Sequence, residues 1–529
     1  MNPKSLERSA VQYDRQGKRL KALRLYDRII RLGAATKDTW CRTGHALSAL
    51  GEFAQAVGAL ENGLQWDNKN PEAHHSLARA YYKLGDIDAA AHHLEIASEQ
   101  CDSVIPWLSL ATIAPGCPRF NAQNVLKIRK AFALKLRNCL PGRPSNHRIR
   151  MTKTPDRILR IGYLSAYFDR VHYMKPVWGL INHQDRSSFE IHLFSDTPLE
   201  KGMPGYVNHP QDHIHEITGL DNHRLGPLIR DCGIDILVDL NGYSSHERLP
   251  LFLQRRAPIV IAWFNMYATS GLPGIDYIIG DHEVIKPREE RFFCERVLRL
   301  PQSYLTFEVL DPVPPVSIPP CLKNGFLTFG SLSSQYKITE PVLDAWAEIL
   351  NRTKRTRLII GNAGLNSPCN RDYLLNRFAR RKVDPDRISL LGPADHFAFL
   401  KYYALMDVAL DTFPYNGGTT TMEAIWQGVP VLTFRGDRWA SRTSTSILQN
   451  THLNKLIAKN LKGYIDCAIA LAAHPDSPRR LAELRREMRS KLRKSPACDT
   501  VSLTKNMEKL YKRIWKLKRD LPNTPCLSP

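Results

Sequence analysis

At 529 residues the chain exceeds what one hydrophobic core can organise, and three or four domain-sized units are expected. Its 43% hydrophobic and 24% charged residues are those of a globular protein; no apolar run reaches the ~18 residues that cross a bilayer, and Met1–Ala10 lacks the apolar stretch of a signal peptide, so a cytoplasmic location is expected. The net charge of +22 favours acidic partners without choosing among them, and eleven cysteines scattered from Cys41 to Cys526, with no CxxC pair or His/Cys cluster at metal-ligand spacing, point to reduced thiols rather than a disulfide framework or a zinc site.

The first elements are repeats. Gly17, Gly51 and Gly85 recur at a step of 34 residues, and the same step relates Ala22, Ala56 and Ala90, then Ala10, Gly44 and Ala78, then Tyr26, Leu60 and Leu94. Small residues let paired helices approach, glycine permits the turn between them, and larger apolar residues fill the seam. This is the arithmetic of tetratricopeptide repeats, read over residues 1–115 with a degenerate fourth unit from Ile105 to Ala111. Stacked repeats form a superhelix whose concave side binds peptides, or they only cap and rigidify the next domain; both roles are open.

Breakers fill Ala114–Pro155, including PGRPSNH, so residues 116–155 are read as a linker. Strand-like runs follow at Ile158–Ser165, Phe189–Ser195, Ile234–Leu240, Ile259–Phe264 and Asp276–Gly280, and a second series at Phe326–Ser331, Arg357–Gly361, Ile388–Gly392, Val408–Thr412 and Val429–Phe434. Near-continuous Val/Ile/Leu strands separated by helices predict parallel sheets covered on both faces. Two series predict two Rossmann-like lobes, residues 156–315 and 316–500, with ligands at the strand C-termini facing a cleft. The basic stretch Arg479–Lys494 is spaced as a solvated helix face rather than a nucleic-acid patch. Residues 501–529 are read as a terminal helix, Val501–Lys518, that could cross back to the first lobe, followed by a disordered tail.

The most informative segment is Leu410–Thr433, LDTFPYNGGTTTMEAIWQGVPVLT, which reads strand, glycine loop, helix, strand. Gly417 and Gly418 let backbone approach a ligand, and Thr419, Thr420 and Thr421 set hydroxyls and N–H groups at a helix start, an arrangement suited to a diphosphate. Glu423, one turn on, is placed to accept a hydrogen bond from a ribose hydroxyl. A glycine-threonine helix entry is also a common capping arrangement.

With that segment, ASRTSTSIL (Ala440–Leu448), QYKI (Gln335–Ile338), DILVDLNGY (Asp235–Tyr243), Arg255–Asp281 and the repeats, the sequence resembles the O-GlcNAc transferase and SPINDLY family, which joins tetratricopeptide repeats to a GT-B catalytic region. The resemblance implies an α-solenoid followed by an α/β GT-B fold, and inverting transfer of a sugar to Ser or Thr of intracellular proteins. The donor it implies is UDP-N-acetylglucosamine first and GDP-fucose second. Transfer to Asn or to a saccharide, and a non-catalytic scaffold with a degenerate nucleotide-sugar site, are the rival readings.

By the same resemblance Thr419 and Thr420 hold the diphosphate, Glu423 the ribose, and Lys337, with Ser334 beside it, the phosphates and the leaving group. Ala394 meets the base, with His396 and Phe399 nearby. The family's histidine before the threonines is Gly418 here, its His-Pro-Val-like stretch reads VHYMKPVW, and its Gly-Pro-Gly turn reads MYATSG, Met266–Gly271. His172 is the cleft histidine and, with Lys337, the expected catalytic pair. For the proton acceptor His172, Asp235, a donor phosphate oxygen and a water chain are all open; Asp239 also flanks the same strand. Asn241 and Tyr243 are read as shaping a turn, and Ser441 and Arg442 as holding donor or packing. No cofactor and no metal are expected, since a helix start and a lysine can offset diphosphate charge. The expected partners are protein acceptors in the repeat groove and a nucleotide sugar, with neither nucleic acid nor a membrane span.

Overall fold

The computed structural model describes residues 2–140, 157–451 and 453–520. The chain opens with four helical hairpins: Pro3–Arg15 with Arg19–Arg31, Lys37–Leu50 with Phe53–Trp66, Pro71–Leu84 with Ile87–Gln100, and Ile105–Ile113 with Ala122–Cys139. The 34-residue step has a direct backbone meaning. Gly17, Gly51 and Gly85 have φ of 73°, 84° and 85°, the left-handed region that a glycine enters without penalty. Ala10, Ala22, Ala56, Ala78 and Ala90 are buried with Tyr26, Leu60 and Leu94 along the helix seams. At Gly44 a Cβ would lie 2.4 Å from Leu60 Cγ, so helix approach there requires the hydrogen.

The assignment of residues 116–155 to a linker is corrected by the fourth hairpin. Pro115, Gly116 and Pro118 form only the turn between its helices, and Ala122–Cys139 is a helix of 18 residues begun by an Asn121/Asn124 capping box. Val125, Leu126, Phe132, Ala133 and Leu136 are buried along one side of it. Buried with them is Arg129, whose guanidinium donates to the carbonyls of Ala111 (3.1 Å), Met266 (3.2 Å) and Thr269 (2.6 Å) and lies 3.9 Å over the Tyr243 ring. This helix belongs to the solenoid and fastens it to the first lobe. The rest of the expected linker, 141–156, lies outside the described residues.

The first lobe carries β1 (Leu159–Ser165), β2 (Phe189–Ser195), β3 (His213–Glu216), β4 (Ile236–Asp239), β5 (Ile259–Trp263), β6 (Tyr277–Asp281) and β7 (Arg296–Leu300), in the sheet order β3-β2-β1-β4-β5-β6-β7. The second carries β8 (Thr328–Ser331), β9 (Arg357–Gly361), β10 (Ile388–Leu391), β11 (Val408–Leu410), β12 (Val431–Phe434) and β13 (Ile457–Ala458), in the order β10-β9-β8-β11-β12-β13. Within each lobe neighbouring strands pair in parallel. Both orders reverse beside the lobe's first strand, which puts the ligand crevice at the C-termini of β1/β4 and β8/β11. Three strands escape sequence reading for physical reasons. HIHE (β3) is polar and at an edge, RVLRL (β7) is short and interrupted by two arginines at the other edge, and β13 has two residues.

Between the lobes, Arg442 donates to both carboxylate oxygens of Glu289 at 2.7 Å, and Ser446 Oγ donates to Asp281 at 2.6 Å. Helix Thr500–Asp520 packs back on helix Val171–His183 of the first lobe, where Glu508 accepts from the Asp185 N–H at 2.7 Å. The tail beyond residue 520 lies outside the described residues. Helix Ser477–Arg493 buries Leu481, Arg485, Met488 and Leu492 along one stripe, leaves Arg479, Arg480, Arg486 and Arg493 to solvent, and uses the half-buried Arg489 to donate to the carbonyls of Trp426 (2.7 Å) and Pro314 (2.9 Å). Among the described residues no helix is long and apolar enough to cross a membrane, and the ten described cysteines are all free thiols.

Candidate active site

The glycine loop follows β11 and Lys337 follows β8, so the two strands that flank the second lobe's switch point deliver both halves of the expected phosphate site. Asp411, buried at the end of β11, organises the loop by accepting from the Gly417 N–H (2.9 Å), the Thr412 N–H (2.9 Å) and Thr433 Oγ1 (2.7 Å). Burial raises its carboxyl above the usual range, opposed by the Gly417 N–H, the Thr433 and Ser444 hydroxyls and Lys337. Ser444 Oγ donates to the Gly417 carbonyl at 3.0 Å and pairs with Thr421 Oγ1 at 2.8 Å, tying the loop to the next helix. At Gly417 a Cβ would meet Thr421 Oγ1 at 2.5 Å and Thr420 Oγ1 at 2.8 Å, so a side chain there would displace the threonine hydroxyls. At Gly418 a Cβ would meet only Thr443 Cγ2 at 3.7 Å, an ordinary contact, so a side chain fits where the sequence has none.

Thr419 and Thr420 open helix Thr419–Trp426 and are partly exposed. Lys337 closes the short turn Gln335–Lys337, with Ser334 exposed at its start. Its ammonium donates to the Asn416 carbonyl at 2.8 Å and lies 4.1 Å over the Tyr415 ring. Burial pushes it down to about 8, with Asp411 as the opposing charge. A cation fixed beside a helix start is chemistry that suits an anion such as a diphosphate.

Farther along the same helix Glu423 points into a second cluster, where Lys175 Nζ and His396 Nε2 each stand 3.4 Å from its Oε1. Burial pushes Glu423 up to about 7 against the pull of Lys175. The ring of His172, from helix Val171–His183, stacks on that of His396 at 3.4 Å between centroids, and its Nδ1 is 3.6 Å from Asp311. Burial and Lys175 lower His172 below the usual imidazole range, and burial with His172 and Lys175 pushes His396 down to about 4. Phe399 stacks beside His396 at 6.4 Å, and Ala394 is exposed in the loop after β10. The expected residues thus fall into two groups, one at Lys337 and the Gly417–Thr420 loop and one at Glu423, His396 and Phe399, with His172 in the second.

Lys175 and Asp311 were missed by sequence reasoning. Lys175 lies in YMKPVW, read only as an altered loop, and Asp311 in the Pro-rich connection between lobes; neither carries a local signal. Their ion pair is 3.4 Å. His172, Asp311 and His396 bring ligand atoms within 4.8 Å of one another, close enough for a metal, but the Lys175 ammonium already stands 3.4 Å from Asp311 and from His396 and supplies the positive charge there.

Other candidates resolve differently. Asp235 precedes β4, at the end of the strand away from the cleft, where it accepts from the Arg160 N–H (2.9 Å) and pairs with Arg157, so it is corrected from possible base to structural carboxylate. Asp239, at the other end, accepts the N–H groups of Asn241 and Gly242 at 3.1 Å, and burial pushes it up to about 6. Asn241 braces Ala166 N–H (2.8 Å) and Tyr243 donates to the Ser270 carbonyl (2.7 Å), both shaping cleft loops. Ser441 caps its own turn by donating to the Arg438 carbonyl at 2.9 Å, and Arg442 joins the lobes. In the loop after β5, Phe264 and Tyr267 hold φ of 67° and 57°, a strained backbone for aromatic residues and one that marks functional loops.

The model of glycosyl transferase family 41 matches residues 127–309 and 321–507, and a tetratricopeptide-repeat model matches 47–102. The Petunia hybrida protein described as a probable UDP-N-acetylglucosamine–peptide N-acetylglucosaminyltransferase SPINDLY is 33% identical over 385 residues, 69% of this chain and 39% of its own length. The Arabidopsis thaliana protein described likewise as SEC is 27% identical over 372 residues, 68% of this chain and 37% of its own. The chain thus spans about two fifths of the length of these curated relatives. A solved structure of a mutant Thermobaculum terrenum O-GlcNAc transferase superposes with a TM-score of 0.79 at 27% identity over 98% of each chain. With both lobes matched, the chain belongs to glycosyl transferase family 41.

Proposed function

We propose that the chain is a protein O-glycosyltransferase that transfers N-acetylglucosamine, with inversion, from UDP-N-acetylglucosamine to Ser or Thr of proteins presented by the solenoid. The observation that carries this reading is the placement of Lys337 and the Gly417–Thr420 helix start on the two strands beside one switch point. The acceptor oxygen forms a bond to the anomeric carbon as the bond from that carbon to the β-phosphate oxygen breaks. The electron pair leaves with UDP, whose charge meets Lys337 and the N–H groups of Thr419 and Thr420. In this reading a lysine and a helix start offset the diphosphate charge in that step and no metal is called on. The acceptor proton passes to a donor phosphate oxygen or to water, since His172 is stacked on His396 at the Glu423 end of the cleft rather than beside Lys337. Glu423 accepts from the ribose, which displaces Lys175 as its partner. The free thiols fit work in a reducing compartment such as the cytoplasm.

Calorimetry with UDP, GDP and their sugar conjugates, followed by mass spectrometry of a Ser/Thr peptide, tests the reading. Expected are selective UDP binding, a peptide mass gain of one N-acetylhexosamine, and a fall in kcat of roughly a hundredfold in Lys337→Ala. Selective GDP binding would move the assignment to fucosyl transfer, and binding of neither nucleotide would overturn the donor site.

A further inference from the structure

We propose that His192 Nδ1, His215 Nε2 and Cys232 Sγ form a binding site for one divalent transition-metal ion of the zinc class at the β2–β3 edge of the first lobe. The parallel register sets His192 opposite His213 and Phe194 opposite His215. Residues two apart share a face of a strand, so Glu190, His192, His213 and His215 all stand on one face. Cys232 reaches them from the end of helix Asn222–Asp231. His192 Nδ1 is 3.0 Å from His215 Nε2, which is 3.8 Å from Cys232 Sγ, and the three ligand atoms lie within 4.8 Å of one another. Zinc bonds of ~2.0–2.3 Å put tetrahedral ligand atoms roughly 3.3–3.7 Å apart, so small side-chain movements close this set on an ion.

What lies behind the ligands strengthens the assignment. His192 Nε2–H is directed at Glu190 Oε1 (2.9 Å), which leaves the Nδ1 lone pair facing His215 and Cys232. That is the carboxylate–histidine arrangement that orients metal-ligating imidazoles. Arg160 then holds both sides of the site, donating from Nε to Glu190 Oε2 (3.2 Å) and from Nη1 to the Cys232 carbonyl (3.4 Å). His213 stands 3.5 Å from the same Glu190 oxygen. His192 is 4% exposed while His215 and Cys232 are half-buried, so an ion has an entry path and a dry inner wall. Binding releases the Cys232 thiol proton to solvent, and the fourth tetrahedral position goes to water. His192 lies within β2, His215 within β3 and Cys232 before β4, so the site is on the outer edge of the first lobe's sheet, in the other lobe from Lys337 and the Gly417–Thr420 loop. Its effect is therefore on stability and not on nucleotide binding.

The test is titration of metal-free, reduced, full-length protein with cobalt(II) chloride and then zinc chloride. Expected are one equivalent of cobalt bound with a thiolate-to-cobalt charge-transfer band, loss of the band on adding zinc, and a rise in Tm with zinc. Cys232→Ser abolishes the band and the rise in Tm, with circular dichroism confirming its fold. Should that variant not fold, His215→Gln removes the same band. Glu190→Gln weakens zinc affinity roughly tenfold or more. A cobalt band that survives both ligand substitutions, or no equivalent bound, overturns the site and leaves His192 and His215 as a hydrogen-bonded pair.

Discussion

Burial costs Lys337 part of its charge, since an ammonium pushed down to about 8 is only partly protonated just above neutral pH. A nucleoside diphosphate beside it restores the proton, because an opposite charge raises an amine's pKa. In the free protein the proton is lost as pH rises through about 8, whereas in the complex it is retained, so binding takes up a proton and affinity falls with rising pH above that value. Calorimetry of UDP binding just above pH 8 in two buffers of different ionisation enthalpy reads that uptake directly. Uptake in the native protein and none in Lys337→Ala is the expected result; equal uptake in both would place the proton elsewhere. Lys337, Gly417, Thr419 and Glu423 could be named from sequence because each belongs to one short motif whose spacing is local. Lys175 and Asp311 could not, since only the closing of the lobes brings them to Glu423.

At the scale of the element, helix Ala122–Cys139 does most to connect the parts. Its buried Arg129 serves three carbonyls, two of them in the strained loop after β5, and its backbone fills the space beside Gly271, where a Cβ would lie 2.7 Å from the Arg129 carbonyl carbon. Arg129→Met keeps the apolar stem and leaves those carbonyls without a donor, so a loss of about 3 kcal/mol of stability is expected from denaturant unfolding. A loss below about 0.5 kcal/mol would mean that water replaces the guanidinium without cost. The helix was legible: Val125, Leu126, Phe132, Ala133 and Leu136 keep a helical period behind a capping box. The prolines and glycines around it drew attention instead, although those at 115–118 mark only the turn inside a hairpin.

In the whole molecule the repeat glycines perform a second task, docking the solenoid on the second lobe. Asn370 donates to the Gly51 carbonyl (2.8 Å) and accepts from the Ala54 N–H (3.0 Å), while Arg377 donates to the carbonyls of Leu84 (3.1 Å) and Gly85 (3.5 Å). Tyr82 stacks on Tyr336 at 4.8 Å, next to Lys337. Gly51 and Gly85 share nearly the same φ, so alanine at either costs about 1–2 kcal/mol of strain. They differ in surroundings. A Cβ on Gly51 meets nothing within 4 Å, whereas on Gly85 it would meet the Gln335 and Ile338 carbonyls at 2.6 Å, one on each side of Lys337. Gly85→Ala is therefore expected to weaken UDP binding by roughly tenfold, about 1.4 kcal/mol, while Gly51→Ala leaves it unchanged, as read by calorimetry. Equal affinities in the two variants would show that the solenoid does not bear on the donor loop.

The sequence alone determined what depends on local periodicity and local turn chemistry. It set the repeat through its recurring glycines, ten of the thirteen strands among the described residues through continuous apolar runs, and the glycine loop and helix start through Gly417–Thr420. Tertiary structure decided whatever depends on distant segments meeting. That includes the edge strands β3 and β7, stabilised by a neighbouring strand rather than by their own composition, and the Lys175–Asp311–His396–Glu423 cluster assembled from both lobes and their connection. It also includes the approach of Cys232 to His192 and His215, three residues with no motif spacing in the chain. Hydrogen bonds within a turn or helix are written into neighbouring residues, but an ion pair or ligand set across a sheet is fixed only when packing has removed the other positions its side chains could take.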